Sequence, residues 1–335
     1  MNSFIKIFFI STFAAFFLLS SCTKNDNQQT IWIYTSLYKD TVNDLQPKLE
    51  KEFPGVKFQF YQAGSEEVAA KVQAEALTGK IQADLLISSD RFWYEDMGAK
   101  GSLLAYQSPG AEKVHSDFRH PEAFYTGVSL PVMVIAYNSE VVSEADVPKS
   151  FKSLADEKWK DKISMGSPLA SGTAFTSVSF LEKKYGWDYF KSLRKNNFIA
   201  EGGNSGVIRR LQSKERPIGI VLLENVLRLK ESDPRIKWLI PTDGAIIQTN
   251  VLAIVKKDKD QSLEKKVADW MYKAEGQQAM ARSFMYPTVS DYGNPAGAPD
   301  LKVLLKTSPP WSRSFIDETL KSRDKIKDQF SKIIF

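Results

Sequence analysis

"IWIYTSLYKDTVNDLQPKLEKEFPGVKFQFYQAGSEEVAAKVQAEALTGKIQADLLISSD" (residues 31–90) states one plan three times. The β-rich apolar run Ile31–Tyr34 stops at the small polar pair Thr35-Ser36, and a helical stretch follows through Phe53. The next segment opens with a turn at Pro54-Gly55. Val56, Phe58 and Phe60 then alternate with Lys57 and Gln59, which predicts a second strand. Ser65 takes the N-cap position of the helix after it, with Glu66 and Glu67 in the first turn. Val68, Val72 and Ala76 form its apolar stripe, and Gly79 ends it. The third strand, "ADLLISSD" (83–90), again runs into small polar residues, Ser88, Ser89 and Asp90. Strands alternating with helices predict a parallel sheet with helices on both faces. Such sheets bind ligands beyond the carboxyl ends of their strands. Each polar ending alone is more often a plain cap or turn; together Thr35, Ser36, Tyr38, Ser65, Ser88 and Asp90 make one candidate polar rim.

Working outward, "GVSLPVMVIAYNSE" (127–140) and "AIIQTNVLAIVKKD" (245–258) are two long apolar strand candidates. Between them the alternation resumes: "KISMGS" (162–167), a helix from Gly172, "NFIAEG" (197–202), a helix from Asn204, then "RPIGIVLLEN" (216–225). The remainder reads as helical, interrupted by a Pro/Gly-rich stretch at 287–299.

With 335 residues, 43% of them apolar and 25% charged, the chain has material for about two globular domains. Its net charge of +5 comes from 45 basic and 40 acidic residues, interspersed without a polybasic block. No nucleic-acid-reading motif is present, so nucleic acid is not an expected partner. The N-terminal "MNSFIKIFFISTFAAFFLLSSC" has Lys6, an apolar core from Ile7 to Leu19, and the ending Leu19-Ser20-Ser21-Cys22. That is the build of a secretory signal, too short for a comfortable membrane span. Its end resembles a bacterial lipobox, with cleavage before Cys22 and a lipid on that cysteine. Residues 1–21 are then the signal peptide and 22–30 a polar lipidated tether. Cys22 is the only cysteine, so the chain holds no internal disulfide although export offers an oxidising compartment. The two histidines, His115 and His120, lie in a polar stretch with no H-E-x-x-H, G-x-S-x-G or Cys–His motif nearby. No catalytic residue, resident metal or cofactor is expected.

The order of these segments resembles the solute-binding lipoproteins of bacterial ABC importers, in the branch of ferric-iron, phosphate-ester and phosphonate receptors. "IYTSLYKD", "EKEFPGVKFQFYQAGSEEVAAKVQAE", "QADLLISSDRFWYEDM", "SPLASGTAF" and "EGGNSGVIRRLQSKERPIGIV" carry the likeness, over roughly residues 31–290. The resemblance implies a type II periplasmic-binding-protein fold. It is α/β with two lobes, each a mixed, mostly parallel sheet with helices on both faces, joined by crossover strands. Residues 31–130 plus 257–335 would form lobe 1, and 131–256 lobe 2 with a crossover strand at each end. The implied protein is a monomer, exported and lipid-anchored to the membrane, that hands a small anionic solute to an ABC permease and its ATPase.

The helix start Ser171-Gly172-Thr173 offers unpaired N–H groups, a glycine for close approach and two hydroxyls. Capping alone also accounts for these residue types; the resemblance places an anion here. Asn204 and Ser205 open another helix, where the family places a ligand-contacting Asn. Ferric receptors carry adjacent tyrosines some twenty residues later, because iron(III) wants deprotonated oxygen ligands. Here Leu222 and Leu223 stand in that segment, followed by Glu224 and Asn225. Glu224 is suited to sugar hydroxyls or an ammonium group. The expected ligand is therefore a phosphorylated sugar or a phosphonate. A ferric receptor using a synergistic anion, and a surface-binding lipoprotein without transport, are the alternatives. Trp93 and Tyr94 fit a core better than a ligand site, and Thr249 and Asn250 suit a hinge.

Overall fold

The computed structural model describes residues 29–335. Cys22, the lipobox and most of the expected tether lie outside these residues. The chain's first half runs β1 (Gln29–Thr35), α1 (Lys39–Glu52), β2 (Val56–Gln62), α2 (Ser65–Leu77), β3 (Leu85–Ser88), α3 (Arg91–Ala99), β4 (Thr126–Leu130) and β5 (Val132–Asn138). The middle holds β6 (Ile163–Met165), α4 (Gly172–Tyr185), α5 (Trp187–Lys195), β7 (Ile199–Ala200), α6 (Asn204–Ser213), β8 (Ile218–Leu222), α7 (Leu223–Leu227), β9 (Ile236–Leu239), β10 (Ile246–Ile247) and β11 (Asn250–Ile254). The chain ends with α8 (Ser262–Met271), α9 (Ala274–Arg282), β12 (Tyr286–Pro287), α10 (Leu301–Thr307) and α11 (Arg313–Ile334).

Two six-stranded sheets result, in the order β12-β4-β11-β3-β1-β2 and β10-β5-β8-β6-β7, with β9 pairing on β5. Each contains a parallel trio, β2-β1-β3 and β7-β6-β8. The parallel trio in each sheet follows from strand–helix–strand connection. Each trio is flanked by an antiparallel strand that arrives from the other lobe: β11 beside β3, and β5 beside β8. Both sheets are thus mixed, and the antiparallel pairings come from the crossovers.

The two long strands expected at 127–140 and 245–258 are each divided where the chain passes between sheets. The first breaks at Pro131, which has no N–H to give a ladder. The second breaks at Gln248-Thr249. The breaks are tied together, since the Gln248 N–H donates to the Pro131 carbonyl at 2.7 Å. Strand β1 begins at Gln29, so the last two residues of the expected tether are sheet.

The C-terminal segment divides its packing between the two sheets' helices. Helices α8 and α9 pack on the first sheet, against β11, β4 and α1. Helix α11 instead packs against α5 and α4 as well as α3. Its buried Phe315, Ile316, Thr319, Ile326, Phe330 and Ile334 form the inward face. Phe315 stacks on Phe180 of α4 with ring centroids 4.0 Å apart, and Phe92 of α3 meets Phe175 of α4 at 5.5 Å. Such pairs each add about 0.5–1.5 kcal/mol beyond their area. An aromatic cluster therefore joins the lobes on the α11 side.

Candidate functional site

A cavity of about 460 Å³ lies between the lobes at the ends of the parallel strands. That is within the roughly 300–1,000 Å³ usual for small-molecule sites. The starts of four helices border it. Ser36, Leu37 and Tyr38 precede α1; Gly64, Ser65 and Glu67 open α2; Ala170, Ser171 and Thr173 open α4; Gly203, Asn204 and Ser205 open α6. Each helix start carries about half a positive charge and several N–H donors without intrahelical partners. Among the described residues the lining contains no Lys or Arg, and its two carboxyls are Glu67 and Glu224. The positive potential of this site is therefore carried by backbone.

Eight of the twelve expected site residues line the cavity: Ser36, Tyr38, Ser65, Ser171, Thr173, Asn204, Ser205 and Glu224. Four do not, each for a local reason. Thr35 is fully buried and its hydroxyl accepts from the Leu37 N–H at 3.0 Å, holding the bend after β1. Ser88 meets the Tyr94 hydroxyl at 3.1 Å inside the first lobe. Asp90 is 0% exposed; it caps α3 through Trp93 N–H and pairs with Arg323 of α11. Gly172 is absent from the lining because its N–H already donates to the Ser65 hydroxyl across the lobes, at 2.7 Å. A Cβ on Gly172 would sit 2.8 Å from the Asp90 Cβ. The glycine serves the approach of the lobes to one another. Trp93 and Tyr94 are buried core, as the sequence suggested.

The expected cap of α2 shifts by one residue, and a glycine caps α6. Gly64, not Ser65, is the N-cap of α2, which frees the Ser65 hydroxyl for Gly172. Gly203 caps α6, so the Asn204 side chain is free to reach across and donate to Thr173 Oγ1 at 3.1 Å. Ser171 is the N-cap of α4, accepting from Ala174 N–H at 3.4 Å, and its hydroxyl lies 3.0 Å from that of Thr173. Ser171, Thr173 and Asn204 thus form one connected edge. The N–H groups of Thr173, Asn204 and Ser205 have no partner among the described residues.

The opposite edge is Tyr38, Glu224 and Asn225. The Tyr38 hydroxyl donates to Asn225 Oδ1 at 2.9 Å and lies 3.4 Å from Glu224 Oε1. The Arg228 guanidinium covers the Tyr38 ring at 4.3 Å and pairs with Asp40 at 2.7 Å. Burial, then the nearby Glu224, raises the Tyr38 phenol well above its usual range, so it keeps its proton. Glu224 is 1% exposed, and burial lifts its carboxyl to about 7 against the pull of neighbouring N–H groups and Arg228. Near neutral pH it is an acid that can both donate and accept.

Reading by strand ends missed Gln62, Ser89, Asn225 and Met285, and gave Asn250 only to the hinge. Asn250 donates to Ser129 Oγ at 2.9 Å and still lines the cavity. Asn225 and Ser89 had a signal, as neighbours of chosen residues. Met285 had none, since it enters from after α9. Leu222 lines the cavity in the segment where the ferric receptors carry tyrosines, and Leu223 is buried beside it. Among the described residues no group of three His, Cys, Asp or Glu could hold a metal ion, and Tyr38 is the one tyrosine in the lining.

Two α/β lobes, exchanged crossover strands and a polar cavity between strand ends define a two-lobed solute-binding protein. The chain belongs to the bacterial extracellular solute-binding protein family, whose match spans residues 80–305. It is similar in structure to the periplasmic binding protein AfuA of Actinobacillus pleuropneumoniae, solved with fructose-6-phosphate bound. There the TM-score is 0.80 at 22% identity, covering 92% of this chain and 99% of that one. Iron-bound HitA of Pseudomonas aeruginosa superposes as well, with TM-score 0.80 at 17% identity, covering 92% and 100%. A Haemophilus influenzae protein is 24% identical over 236 residues, 67% of each chain.

Proposed function

We propose that this chain is the binding lipoprotein of an ABC importer and closes over a small organic anion bearing a phosphoryl or phosphonyl group. The observation that carries this reading is the convergence of four helix starts on one cavity whose lining, among the described residues, has no cationic side chain. Backbone N–H groups with hydroxyl neighbours suit a tetrahedral oxyanion. Thr173, Asn204 and Ser205 supply free N–H donors on one edge, and the hydroxyls of Ser171 and Thr173 add to them. Glu224, Asn225 and Tyr38 are left to recognise the remainder of the solute through hydroxyl or amine groups. The bound sugar phosphate of AfuA supports the same choice. The Leu222-Leu223 segment speaks against ferric iron, which wants several anionic oxygen ligands. Export, with lipid attached to Cys22, would keep the protein beside a permease and its ATPase; hinge closure would present the loaded form.

Thermal unfolding with fructose 6-phosphate, 2-aminoethylphosphonate, and ferric ion plus phosphate tests the ligand class. An organic phosphate or phosphonate at a hundred times its Kd should stabilise by about 2.7 kcal/mol. Stabilisation by ferric ion with phosphate, and by neither organic anion, would overturn the reading.

A further inference from the structure

A second cavity, of about 470 Å³, lies away from the cleft, between the loop 116–121, the start of α3 and the start of α11. Three arginines line it, Arg91, Arg119 and Arg313, with Asp117 as the one carboxylate in the lining. Arg91 is only 3% exposed. Its Nε donates to the Tyr125 hydroxyl at 2.7 Å and its Nη1 to the Asp117 carbonyl, while its Nη2 has no partner among the described residues. The indole of Trp311 backs it, 5.1 Å from the guanidinium carbon. Arg119 makes no side-chain hydrogen bond or ion pair among the described residues, and its Nε is buried without one. A buried donor nitrogen without a partner is costly.

Arg313 is matched by Asp317 at 2.6 Å, while Arg91 and Arg119 have no carboxylate of their own. Glu95, behind the cavity wall, lies 4.0 Å from Arg91 Nε, and it is already shared by Arg313 at 2.9 Å, His120 at 3.4 Å and the Tyr125 hydroxyl. Asp117 faces His115 at 3.7 Å. Helix α11, 22 residues long, starts at the rim, so its dipole adds to the positive field.

We infer that this cavity is a second oxyanion site, in which a phosphoryl group is held by the free donors of Arg91 and Arg119, with Arg313, already paired with Glu95 and Asp317, at its rim. Planar guanidinium forks match that group bidentately. The site is independent of the cleft and of its ligand. It joins the first lobe, through Arg91 and Arg119, to the C-terminal segment that packs on the second. The phosphoryl group can be that of a free anion or of a lipid headgroup, and the test separates the two.

Isothermal titration with inorganic phosphate, co-sedimentation with phosphatidylglycerol vesicles, and anomalous scattering from tungstate-soaked crystals are run on the wild type, Arg119→Gln and Arg313→Gln. Arg119 is partly exposed and makes no side-chain hydrogen bond among the described residues, so Arg119→Gln should fold as the wild type does, checked by its unfolding midpoint. The expected result is tungstate density between Arg91 and Arg119, lost in Arg119→Gln, with binding weakened on the order of tenfold or more. Weakened phosphate titration assigns the site to a free anion. Weakened vesicle binding, with no phosphate uptake at this site, assigns it to a headgroup. Density in the cleft alone, or binding of both probes unchanged in both variants, overturns the inference.

Discussion

Glu224 shows how one residue's environment sets its chemistry. A glutamate opening a short helix reads as a solvated acid, yet here it is buried at the cleft wall with its carboxyl raised from 4.5 to about 7. Between those values the unfolded chain has released the proton while the folded chain still holds it. Stability therefore falls as pH rises through that window, by on the order of 3 kcal/mol. Urea unfolding at pH 5 and pH 8 should show this loss in the wild type and its near absence in Glu224→Gln; equal losses in both would refute the assignment. The ionised form also places a negative charge beside the proposed anion, so affinity should drop above about pH 7 in the wild type and stay flatter in the variant. The presence of Glu224 in the site was legible from the segment around it. Its protonation was not, because burial depends on β5 and on Tyr38 from the other lobe.

At the scale of the element, α4 joins the anion edge to the closure of the lobes. Its start was readable from Ser171-Gly172-Thr173, because an N-cap hydroxyl and small residues have a local signature. Replacing the cap, Ser171→Ala, should cost about 1 kcal/mol in urea unfolding. Gly172→Ala tests a different property. Alanine is the better helix former, so the open protein should not be destabilised. The added Cβ would meet Asp90 of the first lobe at 2.8 Å. Ligand affinity should fall roughly tenfold, about 1.4 kcal/mol, with a larger radius of gyration by small-angle scattering in the presence of ligand. An unchanged radius and affinity would show that the lobes do not approach through this contact. The sequence alone suggested that this glycine admits a ligand; the neighbour across the cleft makes it a contact between lobes.

Across the whole molecule, polar contacts bridge the gap on both flanks. Arg323 of α11 pairs with Asp90 and, at 3.2 Å, with Glu66; Lys327 pairs with Glu66 at 2.8 Å. On the other flank Arg228 reaches Asp40 and donates to the Ser283 carbonyl at 3.0 Å. Asp90 is fully buried, so Arg323→Met leaves a carboxylate without its counter-ion and should cost about 3–5 kcal/mol. Adding Asp90→Asn should recover much of that, which a double-mutant cycle by urea unfolding measures. The Arg228–Asp40 pair, whose carboxylate is exposed, should contribute far less, about 1 kcal/mol or under, and weaken with salt.

What the amino-acid order determined by itself was local: strand and helix periodicity, the small polar endings after β1 and β3, the capped start of α4 and the helix start at Asn204. These are set by residues within a few positions of each other, and they were enough to indicate two α/β lobes and most of one edge of the cleft. Only the tertiary structure decided that Thr35, Ser88 and Asp90 turn inward, that Gly172 faces Asp90, and that α11 lies across both lobes. It also brought Arg91, Arg119 and Arg313 to one cavity. The reason is physical: burial and pairing depend on which distant segment arrives alongside, and periodicity along the chain carries no record of that partner.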